Sequence, residues 1–280
     1  MSHQTPTQPK KSVTCLQATV DQGGKLVMIT AYDAPTAQIA DAAGVDVILV
    51  GDSVGNVCLG FENTIPVTMA MMCHHLEAVA RVRPRAFLMA DLPFLAYHLS
   101  VEDALRNAGR LIQSGAQAVK LEGGGENRIT VIRALIDAGI PVMGHLGLTP
   151  QSLHSIGGHK VQGKERAQAT QLVEEAKKLE TAGCFSVLLE CIPTELAARV
   201  TEALTVFTIG IGAGKNCSGQ VLVFHDILGI HPGTPPKFVR KYMDGFNQMV
   251  TSLTQWSSDV KMGIYPSDQE SYSLTKVAKK

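Results

Sequence analysis

The sequence predicts an α/β fold, a (β/α)8 barrel, on three observations. Eight short apolar runs recur along 280 residues, most of them followed by a helical stretch. A strand–helix unit returns the chain to the same end each time, so the strands are expected to be parallel. Four of the runs deliver an acid at or near their C-terminal end: Asp52, Asp91, Glu122 and Glu190. A doubly wound sheet shows the same alternation. Its dinucleotide signature is missing, because the glycines of Gly210-Ile211-Gly212-Ala213-Gly214 come late and no acid closes a strand about 20 residues on. That segment is read as a tight packing or phosphate turn.

Taken in order, residues 1–14 are polar and read as a flexible N-terminal arm, 15–257 as a single catalytic barrel, and 258–280 as a C-terminal extension. Leu26 to Asp33 is the first strand, followed by a helix from Ala34 with Asp33 as N-cap and Pro35 in its first turn. Val45 to Val50 is a second strand, buried on both faces, that empties into Gly51-Asp52-Ser53. The loop 56–68 is longer than an ordinary βα connection, which marks it for function. Met69 to Val82 is a helix, and Ala86 to Asp91 a third strand. Ser100 with Asp103 three residues on has the form of a capping box and opens the next helix. Ala118 to Glu122 and Pro141 to Leu148 are strands four and five, separated by a helix from about Glu126 to Ala138. A second long loop, 149–162, precedes a charged helix from about Lys164 to Ala182. Ser186 to Glu190, Val206 to Gly212 and Val221 to His225 complete the strands, with a helix from Thr194 to Ala203 and a closing helix expected over Lys237 to Ser257.

Composition narrows the function classes. Lys plus Arg equals Asp plus Glu at 25 each, so no basic surplus exists to neutralise a phosphate backbone, and nucleic acid is not an expected partner. No apolar run approaches the ~18 residues of a membrane span, and Met1 to Ser12 lacks the hydrophobic centre of a secretory signal. A cytoplasmic location is expected. The six cysteines form no C-x-x-C pair and are expected to be reduced, none of them a strong nucleophile.

The acids carry the chemistry. Any one of them is also a reasonable helix N-cap. The pair Lys120 and Glu122 is more telling, because a strand period of two sends both side chains to one face, into the barrel if Val119 and Leu121 face the helices. Charges buried at one barrel mouth need partners. Carboxylate oxygens without a His or Cys cluster suit a hard cation, Mg²⁺ with Mn²⁺ or Co²⁺ as substitutes, and disfavour zinc. His145 ends the fifth strand and either touches substrate or is a hydrogen-bonded structural histidine. His74, His75, His98, His154, His159 and His225 show no usable ligand spacing.

Nine ordered segments resemble one known family. They are Ile29 to Asp33, Val50 to Gly55, Thr64 to Thr68, Met89 to Phe94, Val119 to Gly124, Gly144 to Gln151, Lys160 to Gly163, and Ile209 to Gly214 with Gly219 to Val223. Together they resemble the ketopantoate (3-methyl-2-oxobutanoate) hydroxymethyltransferases from about Thr14 to Phe246. The resemblance implies transfer of a hydroxymethyl group from 5,10-methylenetetrahydrofolate to 3-methyl-2-oxobutanoate, giving 2-dehydropantoate in pantothenate biosynthesis. It also implies a Mg²⁺-dependent barrel that forms a homo-oligomer, commonly a decamer. Carried over by motif, Asp52 and Asp91 would be metal ligands that also meet the substrate. Glu122 would complete or support the metal shell, Ser53 and Lys120 would bind the 2-oxo acid, Glu190 would be the general base and His145 a substrate neighbour. The chain departs from the family pattern at Phe61-Glu62-Asn63, at His159 and at Ser218, which bears on loop contacts and folate placement. Other readings are a related metal-enolate carbon–carbon lyase acting on 2-oxo acids, a Schiff-base aldolase built on Lys120, and a non-catalytic metabolite-binding barrel.

Overall fold

The computed structural model describes residues 10–273; the first part of the expected N-terminal arm (1–9) and the end of the expected C-terminal extension (274–280) lie outside the described residues. In chain order the elements are α1 (Val13–Asp21), β1 (Leu26–Thr30), α2 (Ala34–Ala42), β2 (Val47–Val50), α3 (Val54–Val57), α4 (Met69–Arg81), β3 (Phe87–Asp91), α5 (Val101–Gln113), β4 (Ala118–Glu122), α6 (Glu126–Asp137), β5 (Val142–Gly147), α7 (Leu153–Ile156), α8 (Arg166–Thr181), β6 (Ser186–Glu190), α9 (Thr194–Ala203), β7 (Phe207–Ile211), β8 (Gly219–Leu222), α10 (Phe224–Ile227) and α11 (Gly245–Lys261). The strands pair in sequence order, all parallel, and β8 closes on β1 through Leu26–Gly219 to Ile29–Leu222. This is the closed (β/α)8 barrel that the alternation predicts.

Strand parity divides the apolar residues into two cores. Met28, Val47, Leu49, Phe87, Met89, Ala118, Met143, Leu188 and Ile209 fill the interior. The alternate residues, including Ile48, Leu88, Val119, Leu121 and Val187, pack outward in the larger cluster shared with the helices. Val119 and Leu121 therefore face the helices, as the two-residue period requires. Each buried Val, Leu, Ile, Phe or Met contributes about 1.5–3 kcal/mol, so this double core is the main stabilising element.

Local signals behave as their chemistry dictates. Asp33 caps α2 by accepting the Thr36 N–H at 2.8 Å, with the reciprocal Thr36 hydroxyl contact completing a capping box. Ser100 accepts the Asp103 N–H at 3.1 Å at the start of α5. Six elements differ from the sequence reading. Helix α1 precedes the first strand, capped by Ser12, and its fully buried Leu16 joins the interior core with Leu26, Phe87 and Phe207 at the strand starts. Short helices α3 and α7 interrupt the two long loops. Strand β8 begins at Gly219 rather than Val221, and the segment read as its end forms α10. A Cβ on Gly219 would meet the Leu26 carbonyl and the Ile209 side chain, both at 2.6 Å, so this strand position requires glycine even though it reads as loop. The closing helix α11 starts at Gly245, not Lys237.

The chain divides into two compact units, one running to Phe224 with Pro236–Val239, the other comprising His225–Pro235 and the chain from Arg240. The first is the barrel. The second contains α11, on which Leu253, Trp256 and Val260 are exposed. Among the described residues no helix is long and apolar enough to cross a membrane.

Candidate active site

Parity places Asp91, Lys120, Glu122, His145 and Glu190 in phase with interior residues, each at or near the last residue of β3, β4, β5 or β6. Asp52 and Ser53 follow β2 directly. All seven residues singled out in the sequence therefore stand at the C-terminal rim of the barrel, the end where this fold places its chemistry.

Register brings them into contact. Asp91 lies beside Lys120, and Glu122 beside His145, as paired positions of adjacent strands. The Lys120 ammonium is 2.9 Å from Asp91 Oδ1, and both side chains are nearly buried. The backbone N–H of Asp52 donates to Asp91 Oδ2 at 3.0 Å. Ser53 Oγ and Asp91 Oδ2 both crowd Gly51, lying 2.9 and 3.4 Å from where a Cβ would stand, so the turn leaving β2 has no room for a side chain. The Ser53 hydroxyl is held by Tyr32 Oη at 2.8 Å. His145 spans two acids, with Nδ1 3.6 Å from Glu122 Oε1 and Nε2 3.3 Å from Glu190 Oε2. Neither contact is a hydrogen bond, and Glu122 Oε1 is buried without a hydrogen-bond partner.

Burial and crowding set the protonation of these groups. Burial, then the neighbouring Asp91 charge, pushes the Asp52 carboxyl up to about 7 against the pull of Lys120 and Gln151. Burial, then Asp52, raises Glu122 well above the usual carboxylate range. Burial lifts Glu190 to about 7, offset in part by Lys120 and His159. For Lys120, burial favours the neutral amine, but Asp91, Glu122 and Asp52 together outweigh it and its proton is held more tightly than in a free lysine. Burial, then the Lys120 charge, drives His145 well below the ordinary histidine value, so it is neutral at pH 7. Four carboxyl groups thus face one ammonium and a neutral imidazole. A cation placed among them would favour their ionised forms.

Two residues given no role in the sequence reading hold the acids in place. Gln151 donates through Nε2 to Asp52 Oδ2 at 2.8 Å and to the Leu92 carbonyl at 3.0 Å, and its backbone N–H donates to Glu122 Oε2 at 3.0 Å. Tyr97 donates to Gln151 Oε1 at 2.7 Å and accepts the Glu122 N–H at 3.1 Å. Arg128 lies over the Tyr97 ring, 4.9 Å from its centroid. A glutamine in a Thr-Pro-Gln turn carries no chemical signature of its own, and only the fold shows that this turn enters the rim.

Other groups stand apart. The six cysteines are free, and burial pushes Cys184 up to about 12 and Cys191 to about 11, so neither is an activated thiol. Ser218 exchanges hydrogen bonds with Thr208 near the start of β8, 3.2 Å from its N–H and 3.3 Å to its hydroxyl. Among the described residues no group of three or more His, Cys, Asp or Glu side chains is placed to hold a metal ion unaided.

The family model described as ketopantoate hydroxymethyltransferase matches residues 10–268. A protein of Bradyrhizobium diazoefficiens named 3-methyl-2-oxobutanoate hydroxymethyltransferase 2 is 58% identical over 276 residues, covering 98% of this chain and 94% of its own. The 3-methyl-2-oxobutanoate hydroxymethyltransferase of Methylobacterium sp. (strain 4-46) is 59% identical over 263 residues, 94% of this chain and 91% of its own. Among solved structures, phosphonopyruvate hydrolase in complex with oxalate and Mg²⁺ superposes with a TM-score of 0.61 at 13% identity, covering 94% of this chain and 92% of that one. A 2,3-dimethylmalate lyase of the PEP mutase/isocitrate lyase superfamily gives 0.59 at 16% identity, covering 93% and 91%. These distant structures share the fold. With the family model spanning nearly the whole described chain, the protein belongs to the ketopantoate hydroxymethyltransferase family.

Proposed function

We propose that the protein transfers a hydroxymethyl group from 5,10-methylenetetrahydrofolate to 3-methyl-2-oxobutanoate, giving 2-dehydropantoate in pantothenate biosynthesis. The observation that carries this reading is the rim itself: Glu190, a carboxylate with proton affinity near neutrality, shares one mouth with the Asp52–Asp91–Lys120 cluster. Names of close relatives support the substrate.

The donor set fits Mg²⁺, with Mn²⁺ or Co²⁺ as substitutes. Hard oxygens predominate, and Glu122 Oε1 is an orphaned acceptor. Mg²⁺ keeps several waters and uses one or two protein carboxylates, so an incomplete cage is what it requires. Asp52 and Asp91 would hold it, supported by Glu122. When bound, the ion supplies Lewis acidity toward the carboxylate and keto oxygens of the 2-oxo acid.

The chain's own groups do the rest. Lys120 offsets the substrate's negative charge, and Ser53, oriented by Tyr32, offers a hydroxyl to it. Glu190 takes the proton from C3, and the C–H electrons pass into the enolate. C3 then bonds to the one-carbon unit released from the folate, with one water consumed overall. His145, neutral between Glu122 and Glu190, borders the substrate. The loops 56–68 and 149–162 are the segments suited to exclude water.

A cytoplasmic location and a homo-oligomer, a decamer by the family resemblance, complete the proposal; light scattering measures the latter. The activity is tested by incubating protein, Mg²⁺, 3-methyl-2-oxobutanoate and the folate donor. Formation of 2-dehydropantoate dependent on all four is expected, and its absence would overturn the reading.

A further inference from the structure

We infer that Gln151 is a positioning residue that sets two carboxylates from the ends of β2 and β4, Asp52 and Glu122, in the geometry the divalent cation needs. The inference rests on the metal-dependent reading above and deepens it. Gln151 is 4% exposed, and its hydrogen bonds leave no freedom of orientation. Both amide protons meet acceptors, Asp52 Oδ2 and the Leu92 carbonyl, while the amide oxygen meets a hydroxyl, that of Tyr97. Turning the amide over would set its oxygen against two acceptors, so the side chain has one state.

Its main chain acts on the other acid. The Gln151 N–H fixes Glu122 Oε2, leaving Oε1 without a hydrogen-bond partner. Tyr97 ties the same two elements a second time, through the Gln151 amide oxygen and the Glu122 N–H. One residue at the start of the 149–162 loop thereby determines which oxygens of Asp52 and Glu122 are committed to protein. Partners of this kind, one step behind a metal ligand, usually change metal affinity 10–100-fold when removed.

The test is calorimetric titration of Mg²⁺ into the protein with saturating 3-methyl-2-oxobutanoate, for the native chain, Gln151→Met and Tyr97→Phe. Gln151→Met keeps the volume and the backbone N–H but loses three side-chain hydrogen bonds. A roughly 10–100-fold weaker Mg²⁺ Kd is expected, with a smaller shift in the same direction for Tyr97→Phe. The double variant should weaken binding by less than the product of the two, because both act through one network. In turnover, kcat at saturating Mg²⁺ should fall while KM for the folate donor holds. Folded variants, checked by circular dichroism, that bind Mg²⁺ within about twofold of native would overturn the inference alone. If Gln151→Met does not fold, Tyr97→Phe decides on the same criterion. A native chain that binds no Mg²⁺ would overturn both this inference and the reading beneath it.

Discussion

Asp52 and Asp91 are joined through the main chain: the Asp52 N–H donates to Asp91 Oδ2 across 3.0 Å, while Lys120 holds the other Asp91 oxygen at 2.9 Å. Two acids from different strands are thus locked at one point of the rim. Asp91→Ala should abolish Mg²⁺-dependent binding of 3-methyl-2-oxobutanoate and, by leaving the buried Lys120 ammonium without its salt-bridge partner, cost about 3–5 kcal/mol of stability. Asp52→Ala should abolish the same binding. Calorimetry and thermal melting measure the two effects, and binding that survives both substitutions would place the ion elsewhere.

Glu190 should control proton removal at C3. Glu190→Gln is expected to retain 2-oxo acid binding and lose exchange, and the native exchange rate should climb as pH rises through about 7, where the carboxyl ionises. Charged groups facing it from other strands and loops include Lys120, His159, Asp91, Asp52 and Glu122, with neutral His145 alongside. A flat profile between pH 6 and 8 at constant saturation would move the base to another group.

The same shift has a stability consequence of opposite sense. Between the ordinary value of 4.5 and about 7, the folded chain keeps a proton on Glu190 that the unfolded chain has released. Stability therefore falls as pH rises through that window and stays lower above it. Glu190→Gln removes this loss. It should raise stability at pH 8 by on the order of 1–3 kcal/mol and leave it nearly unchanged at pH 4, as seen in melting curves at the two pH values.

Lys120 should not form a Schiff base. Its ammonium is buried against Asp91 and keeps its proton more tightly than a free lysine, whereas an amine nucleophile must first lose it. Borohydride with 2-oxo acid should leave the protein's mass unaltered, and EDTA should silence turnover until Mg²⁺ is restored. A borohydride-trapped adduct on Lys120 would instead support the aldolase chemistry.

The barrel was legible because buried parallel strands are apolar on both faces and end abruptly in acids; β2 through Asp52 and β4 through Glu122 announce themselves this way. Lys120 and Glu122 were assigned to the interior by parity alone, and Val119 and Leu121 pack outward accordingly. What escaped lacked such a signal. Helix α1 is short and mixed in character, with one fully buried leucine. Strand β8 starts at a glycine that contributes no side chain to read. Gln151 and Tyr97 act through hydrogen bonds to residues 25 to 99 positions away, a relationship that exists only once the barrel closes.

The most direct measurement of the central claim is exchange of the C3 proton of 3-methyl-2-oxobutanoate in deuterated water, followed by NMR with and without Mg²⁺ and before the folate donor is added. The account predicts exchange that requires Mg²⁺, disappears in Glu190→Gln, and turns into 2-dehydropantoate formation once the donor is supplied. Binding of Mg²⁺ and 2-oxo acid with no exchange at C3 would contradict it.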